Sequence, residues 1–138
     1  MLPEFAEYCR LLANLPNQHP SIGSSTLAPY MIGPHVAEVE GQVFFDRGYV
    51  LDIWELLDLS TLTIRSYSYE LDRSGERVWW YDPQEHPHIP ELQSTHPHHK
   101  HVHPDVEHNR IPAPGIAFDQ PNFPFLVGEV EQLLAVQS

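Results

Sequence analysis

The feature that most constrains the fold is a long stretch of alternating apolar and polar residues between positions 36 and 82. Side chains that alternate with a period of two belong to β-strands with one buried and one hydrated face. Turn-forming residues interrupt the alternation at 46–48, 58–60 and 72–75. The stretch therefore predicts four antiparallel strands joined by short turns, a β-meander.

Helical spacing is found near both ends of the chain. Apolar residues recur at i, i+3 and i+4 in residues 1–15 and again in residues 125–137, which is the pattern of an amphipathic helix. The chain has 138 residues, and 41% of them are hydrophobic. This hydrophobic content is enough to bury one core, but the length is too short for two ordinary domains. We predict a single α+β domain over 1–138, in which an N-terminal and a C-terminal helix flank a four-stranded antiparallel sheet at 36–82.

A proline- and histidine-rich segment separates the predicted sheet from the second helix. Residues 83–124 hold nine of the 14 prolines and eight of the ten histidines. Proline lacks a backbone donor and fixes φ, so we expect a long loop here without regular structure. Loops of this length in compact domains are usually either functional or disordered. The stretch 19–35, rich in Pro, Gly and Ser, is predicted to be a linker.

The charge balance restricts the range of partners. Seven Lys and Arg residues against 19 Asp and Glu residues give a net charge of −12 at pH 7, which disfavours attraction to nucleic-acid phosphates or anionic lipid. Cys9 is the single cysteine and cannot form an internal disulfide. No secretion signal and no apolar run of membrane-spanning length is visible in the sequence. We therefore expect a cytoplasmic protein that does not associate with membranes.

The histidines of the 83–124 segment suit more than one kind of chemistry. One imidazole can accept a proton near neutral pH while another donates one, as general acid–base catalysis requires. Imidazoles also bind transition metals, and His98, His101 and His103 are candidate ligands if the loop folds back on itself. A third reading is that the imidazoles decorate a hydrated surface. The spacing matches no zinc signature and no phosphate-binding loop is present, so we expect no cofactor.

Three polar or aromatic side chains follow one face of the third predicted strand. Arg65, Tyr67 and Tyr69 lie at alternate positions, so they point to the same side of the sheet. Such a row is typical of a polar site, or of an aromatic cross-strand ladder beside a hydrated arginine. The sequence leaves both readings open.

Three short strings of residues resemble a known family. The string Ser-Tyr-Ser-Tyr at 66–69 is followed by Tyr-Asp at 81–82 and by Pro-His-His-Lys-His at 97–101. This succession is similar to the pattern of the TumE-type toxins of toxin–antitoxin pairs, over roughly residues 38–103, with the family's terminal helix corresponding to 125–136. The resemblance implies a growth-inhibiting toxin that acts on RNA and is neutralised by a DNA-binding antitoxin of helix-turn-helix type.

The resemblance also implies which residues are catalytic. These residues suit RNA cleavage without a metal. One imidazole deprotonates the ribose 2′-hydroxyl, Lys100 or Arg65 stabilises the developing negative charge, and another imidazole protonates the leaving oxygen. The chain differs from the family at two places, an additional Pro-rich stretch at 104–124 and Glu70. Its net negative charge also opposes RNA binding. The positions that match the family motif are Tyr67, Tyr69, His98, His99, Lys100 and His101.

Three functions are therefore open at the level of sequence. The first is a TumE-like toxin with endoribonuclease activity, whose partners are RNA and the antitoxin and which can act as a homodimer. The second is a non-catalytic acidic module, or a diverged and inactive relative, that docks a basic protein. The third is metal storage or sensing through the histidines.

Overall fold

The computed structural model describes residues 1–136. It confirms the α+β class, with a helix at each end of the chain and an antiparallel sheet between them. Short 3₁₀ turns lie at Asp46–Gly48 and Pro90–Thr95. The elements in chain order are α1 (Phe5–Gln18), β1 (Ile22–Ser25), β2 (Ala28–Met31), β3 (Val36–Phe45), β4 (Tyr49–Asp58), β5 (Thr63–Arg73), β6 (Glu76–Asp82), β7 (His99–His101), β8 (Arg110–Pro112) and α2 (Phe123–Val136).

The sheet has eight described strands, so the prediction of a four-stranded sheet was wrong. The strand order is β1-β3-β4-β5-β6-β7-β8, and β2 pairs with β3 beside β1. The predicted meander forms the centre as β3 to β6. The other four strands have only three or four residues each, too short to show a clear alternation, and they lie in the segments predicted to be a linker and a loop.

Gly41 explains how two strands share one neighbour. Strand β1 pairs with residues 43–45 of β3, while β2 pairs with residues 37–40. The chain passes from one to the other over Gly41, where an added Cβ would lie 2.6 Å from the carbonyl oxygen of Thr26. Its φ of +145° also disfavours any residue with a side chain. The supposed linker is thus an ordered edge of the sheet.

Both helices pack on one face of the sheet, which we call the helix face. In α1, Tyr8, Leu12 and Leu15 are buried against the strands, and the ring of Tyr8 meets that of Phe123 in α2 edge-on at 5.6 Å. Neither helix within the described residues is long and apolar enough to span a membrane.

The helix bounds differ slightly from prediction. Helix α1 begins at Phe5 and runs to Gln18, past the predicted end at residue 15. Pro16 supplies no N–H to the last turn, but the N–H of His19 still donates to the carbonyl oxygen of Leu15 at 3.1 Å. Helix α2 begins at Phe123, two residues before the predicted start of the segment 125–137. Position 137 of that prediction lies outside the described residues.

The two faces of the sheet separate neighbouring residues of the histidine string. Across β6 and β7, Tyr81 pairs with Lys100, and both side chains reach α2 on the helix face. The alternate residues of these strands, among them Asp82, His99 and His101, point to the opposite face, which we call the far face. The 3₁₀ turn at Pro90–Thr95 packs against β8. The far face carries the site described next.

Candidate functional site

Two histidines converge on one carboxylate on the far face. Nε2 of His99 lies 3.0 Å from Oδ1 of Asp82, and Nε2 of His101 lies 3.2 Å from Oδ2. The register of β6 and β7 creates this meeting, since Asp82 is the direct cross-strand partner of His99 and His101 lies two residues along the same strand. The three residues are only 7%, 1% and 3% exposed, respectively, so their interaction is shielded from water.

The carboxyl group of Asp82 is ionised at neutral pH. Burial on its own raises the pKa of Asp82, but the imidazoles of His101 and His99 and the backbone N–H of Gln84 outweigh burial and hold that pKa well below its ordinary value. The Gln84 N–H donates to Oδ1 at 2.8 Å. The centre of the site is therefore a buried negative charge facing two imidazoles.

The other nitrogen of each ring is held by a backbone carbonyl. Nδ1 of His101 lies 2.8 Å from the carbonyl oxygen of Val106, and Nδ1 of His99 lies 3.2 Å from that of Pro97. Carbonyl and carboxylate oxygens can only accept, so each ring has an acceptor beside both of its nitrogens. A neutral ring that donates from Nδ1 to its carbonyl turns a bare Nε2 toward Asp82.

Further polar groups surround this trio. The ring of Trp80 stacks on His101 at 4.2 Å, and Arg110 is the cross-strand partner of His101 on β8, so it shares the far face. The ring of His86 meets His99 edge-on at 4.9 Å. Partial burial, followed by the charge of Arg110, lowers the pKa of His86. We call these six residues the histidine cluster: Trp80, Asp82, His86, His99, His101 and Arg110.

The histidine cluster gathers the unpaired buried polar atoms of the described chain. Four buried side-chain nitrogens have no hydrogen-bond partner within residues 1–136, and each belongs to a member of the cluster. Unpaired buried donors and acceptors cost free energy, so their concentration at one place indicates a site built for something other than stability. The four atoms are Trp80 Nε1, His86 Nε2, His99 Nε2 and Arg110 Nε.

Lys100 lies on the opposite face from the imidazoles on either side of it. Its ammonium group donates to Oε2 of Glu129 in α2 at 2.8 Å and sits over the rings of Trp79 and Tyr81, 5.4 and 5.3 Å from their centroids. The hydroxyl of Tyr81 donates to the other oxygen of Glu129. The structure thus uses Lys100 to join β7 to α2.

Two more of the sequence-predicted residues meet at the end of the helix face. Nδ1 of His98 lies 2.6 Å from the hydroxyl of Tyr67, with the two rings nearly parallel. Burial raises the pKa of Tyr67, and the charge of Asp82 adds to this effect. Tyr67 in turn stacks on Tyr69, its neighbour along the same strand, at 4.7 Å.

Tyr69 belongs to a buried network around Glu55. The hydroxyls of Tyr8 and Tyr69 donate to the two carboxyl oxygens of Glu55, each at 2.5 Å. Asn122 donates from its amide to the hydroxyl of Tyr69 at 3.0 Å. Burial raises the pKa of Glu55, although the two tyrosine hydrogen bonds partly oppose it. The network ties α1 and the start of α2 to the middle of the sheet.

The remaining predicted residues lie apart from the cluster. Arg65 is exposed on β5, where its charge acts on Asp58. His103 is exposed, while His98 and His101 lie on opposite faces, so the structure does not bring His98, His101 and His103 together. Of the predicted residues, only His99 and His101 belong to the histidine cluster, whereas His98 meets Tyr67 on the helix face.

Sequence reasoning missed four members of the cluster. Asp82 was part of the Tyr-Asp string but received no role, and Trp80, His86 and Arg110 were not assigned to a site. The pairing of β6, β7 and β8 places Trp80, Asp82 and Arg110 beside His99 and His101, and the segment after β6 brings His86 against His99. The one signal in the sequence is the alternation of side chains within the 97–101 string. In a strand, the side chains at positions 99 and 101 point to the opposite face from the side chain at position 100.

An antiparallel sheet with two helices on one face and a buried Asp-His-His group on the other defines a small α+β protein with a candidate acid–base or metal centre. The family model described as Toxin TumE matches residues 10–134. The chain belongs to this toxin family, which confirms the resemblance found in the sequence. Neither the curated proteins nor the solved structures contain a significant match.

Proposed function

We propose that the protein is the toxin of a toxin–antitoxin pair and that it arrests growth by cleaving RNA at the histidine cluster. Membership of the TumE family supports the toxin role. The observation that carries the second part is the convergence of His99 and His101 on Asp82 beside Arg110. Few buried sites combine imidazoles, a carboxylate and a guanidinium without using them in chemistry.

Arg110 takes the role that the sequence gave to Lys100. Cleavage at a phosphodiester needs a positive group that stabilises charge developing on the phosphate oxygens. Lys100 is held by Glu129 on the helix face, whereas Arg110 shares the far face with His101 and has an unpaired Nε. A single guanidinium next to the imidazoles also answers the objection from net charge, since it concentrates positive charge where the phosphate binds.

Two chemical routes to cleavage use the same residues. In the metal-independent route expected from the sequence, the imidazoles act on the ribose 2′-hydroxyl and the leaving oxygen, and Asp82 orients them. In the metal-assisted route, the imidazoles and Asp82 hold an ion that carries out this task. Both routes require Asp82.

The test is cleavage of RNA by purified, untagged protein. Wild-type protein is incubated with total cellular RNA beside Asp82→Asn, which preserves size and one acceptor oxygen, and His108→Ala as the matched control. His108 is an exposed histidine of the same segment that pairs only with Asp105 at 3.0 Å. We expect wild type and His108→Ala to cleave and Asp82→Asn to lose about 100-fold in rate. Absence of cleavage by wild type would refute the ribonuclease proposal.

One observation favours a second candidate, an acidic docking function. A groove of about 630 Å³ on the far face of β3 to β6 is lined by four acidic side chains, and Arg77 offsets part of their charge through Asp72 and Glu70, at 2.5 and 3.0 Å. Charge complementarity suits this groove to a basic segment of a partner such as the antitoxin. The acidic residues are Glu40, Asp52, Glu70 and Asp72.

Binding measurements separate the docking function from catalysis. An antitoxin of the family, sought next to the gene, is titrated onto wild type and onto a Glu40→Gln, Asp52→Asn double variant at low and moderate salt. Docking in the groove predicts weaker binding by the double variant and a loss of the difference at high salt. Equal affinities at low salt would exclude this groove as the docking site.

A further inference from the structure

We propose that Asp82, His99 and His101 form a binding site for a divalent transition-metal ion, and that zinc fits the site best. The three side chains offer two imidazole nitrogens and a carboxylate, the ligand set that zinc commonly binds. Their ligand atoms all lie within 4.8 Å of one another.

The spacing between the ligand atoms suits a shared ion. Zinc binds nitrogen and oxygen at about 2.0–2.1 Å, so two ligand atoms on one tetrahedral ion are about 3.3 Å apart. The observed separations from Asp82 are 3.0 Å for His99 and 3.2 Å for His101. These contacts therefore lie close to the distance between neighbouring ligands.

The carbonyl beside each Nδ1 leaves both Nε2 atoms available to a metal. With its proton donated from Nδ1 to the carbonyl of Pro97 or Val106, each neutral ring turns a bare Nε2 toward Asp82, where an ion can join the three side chains. Backbone carbonyls that hold the outer nitrogen in this way are the usual support of histidine ligands in metal sites.

The surroundings of the trio resemble those of a metal site with room for a further ligand. Three protein ligands leave one tetrahedral position for water or for an oxygen of a phosphate, as in catalytic zinc sites. His86 and Arg110 bring unpaired buried nitrogens to the same place. Use of the ion in RNA cleavage rests on the proposed function, whereas binding of the ion rests only on the geometry of Asp82, His99 and His101.

Zinc binding is measured directly on untagged protein freed of metal with a chelator. Zinc is titrated into wild type, Asp82→Asn, His99→Gln and the control His108→Ala by calorimetry in competition with a chelator of known affinity. We expect one ion per chain for wild type and for His108→Ala, and a loss of more than tenfold in affinity for the other two. Failure of wild type to bind one ion, or equal binding by all four proteins, would overturn the proposal.

A second measurement needs no variant and does not depend on how the variants fold. In ¹⁵N-labelled wild type, zinc should shift the Nε2 resonances of two histidines and leave their Nδ1 atoms protonated. Coordination through Nδ1, or a response spread over many histidines, contradicts the proposed site. If zinc binds as described but RNA is not cleaved, the metal site stands and the ribonuclease proposal falls.

Discussion

Replacement of Glu55 by glutamine tests the buried network between the helices and the sheet. In wild type, both carboxyl oxygens of Glu55 accept a tyrosine hydroxyl at 2.5 Å. Asn122 already donates to the hydroxyl of Tyr69, so the oxygen of a glutamine must face Tyr69 and its NH₂ group must face Tyr8. Tyr8 then becomes an acceptor and its own proton loses its partner.

The size of the effect depends on whether Glu55 carries a proton. At pH 4 the wild-type carboxyl group is largely neutral, and its own O–H, like the NH₂ of glutamine, faces Tyr8 and leaves the Tyr8 proton without a partner. We therefore expect Glu55→Gln to lower the free energy of unfolding by no more than about 1 kcal/mol at pH 4, less than the about 1–3 kcal/mol of a newly unpaired hydroxyl. Urea denaturation followed by tryptophan fluorescence measures this difference.

The difference depends on pH with a definite sign. Burial raises the pKa of Glu55 in the folded state above its ordinary value of 4.5. A raised carboxyl pKa stabilises the fold fully below the unfolded value, and this contribution is lost as pH rises toward the folded value. Glutamine does not titrate, so the deficit of Glu55→Gln shrinks above pH 4.5 by up to about 1.4 kcal/mol per pH unit. A deficit that is constant or grows between pH 4 and 8 would refute this reasoning.

Three further variants test separate parts of the molecule. Gly41→Ala should lower the free energy of unfolding by about 2 kcal/mol or more, because its Cβ meets the backbone of Thr26; unchanged urea denaturation would contradict the close approach. Glu129→Gln should cost about 2 kcal/mol by unpairing the largely buried Lys100, and thermal unfolding that matches wild type would exclude the pair as a tie to α2. Arg110→Gln should slow RNA cleavage about tenfold or more with zinc affinity unchanged; equal cleavage rates would remove Arg110 from the site.

The long strands could be predicted from the sequence and the short ones could not. Strands β3 to β6 have 7 to 11 residues each, so their alternation stands out from chance. Strand β7 consists only of His99–His101, and β8 has a single β-branched residue, Ile111, followed by Pro112. Neither has the run of β-branched residues that indicates a strand. Their pairing depends on the edge of β6, which the local sequence does not reveal.

The candidate site could be predicted only in part, because it too depends on the pairing of strands that are distant along the chain. The 97–101 string marks a functional region, but the sequence treats its residues as one group. The strand geometry of β7 divides them, sending Lys100 to Glu129 and the imidazoles at positions 99 and 101 to Asp82. Asp82 and Arg110 enter the site through cross-strand register, a relation between segments distant along the chain. Patterns within a segment carry no information on that register.

Growth arrest is the most direct test of whether the histidine cluster is the working part of the toxin. Wild type, Asp82→Asn and His108→Ala are expressed from an inducible promoter in cells without the antitoxin, with protein levels matched by immunoblot. We expect wild type and His108→Ala to stop growth and Asp82→Asn to leave growth unaffected. Arrest by Asp82→Asn at the same protein level as wild type would contradict the assignment of function to this cluster.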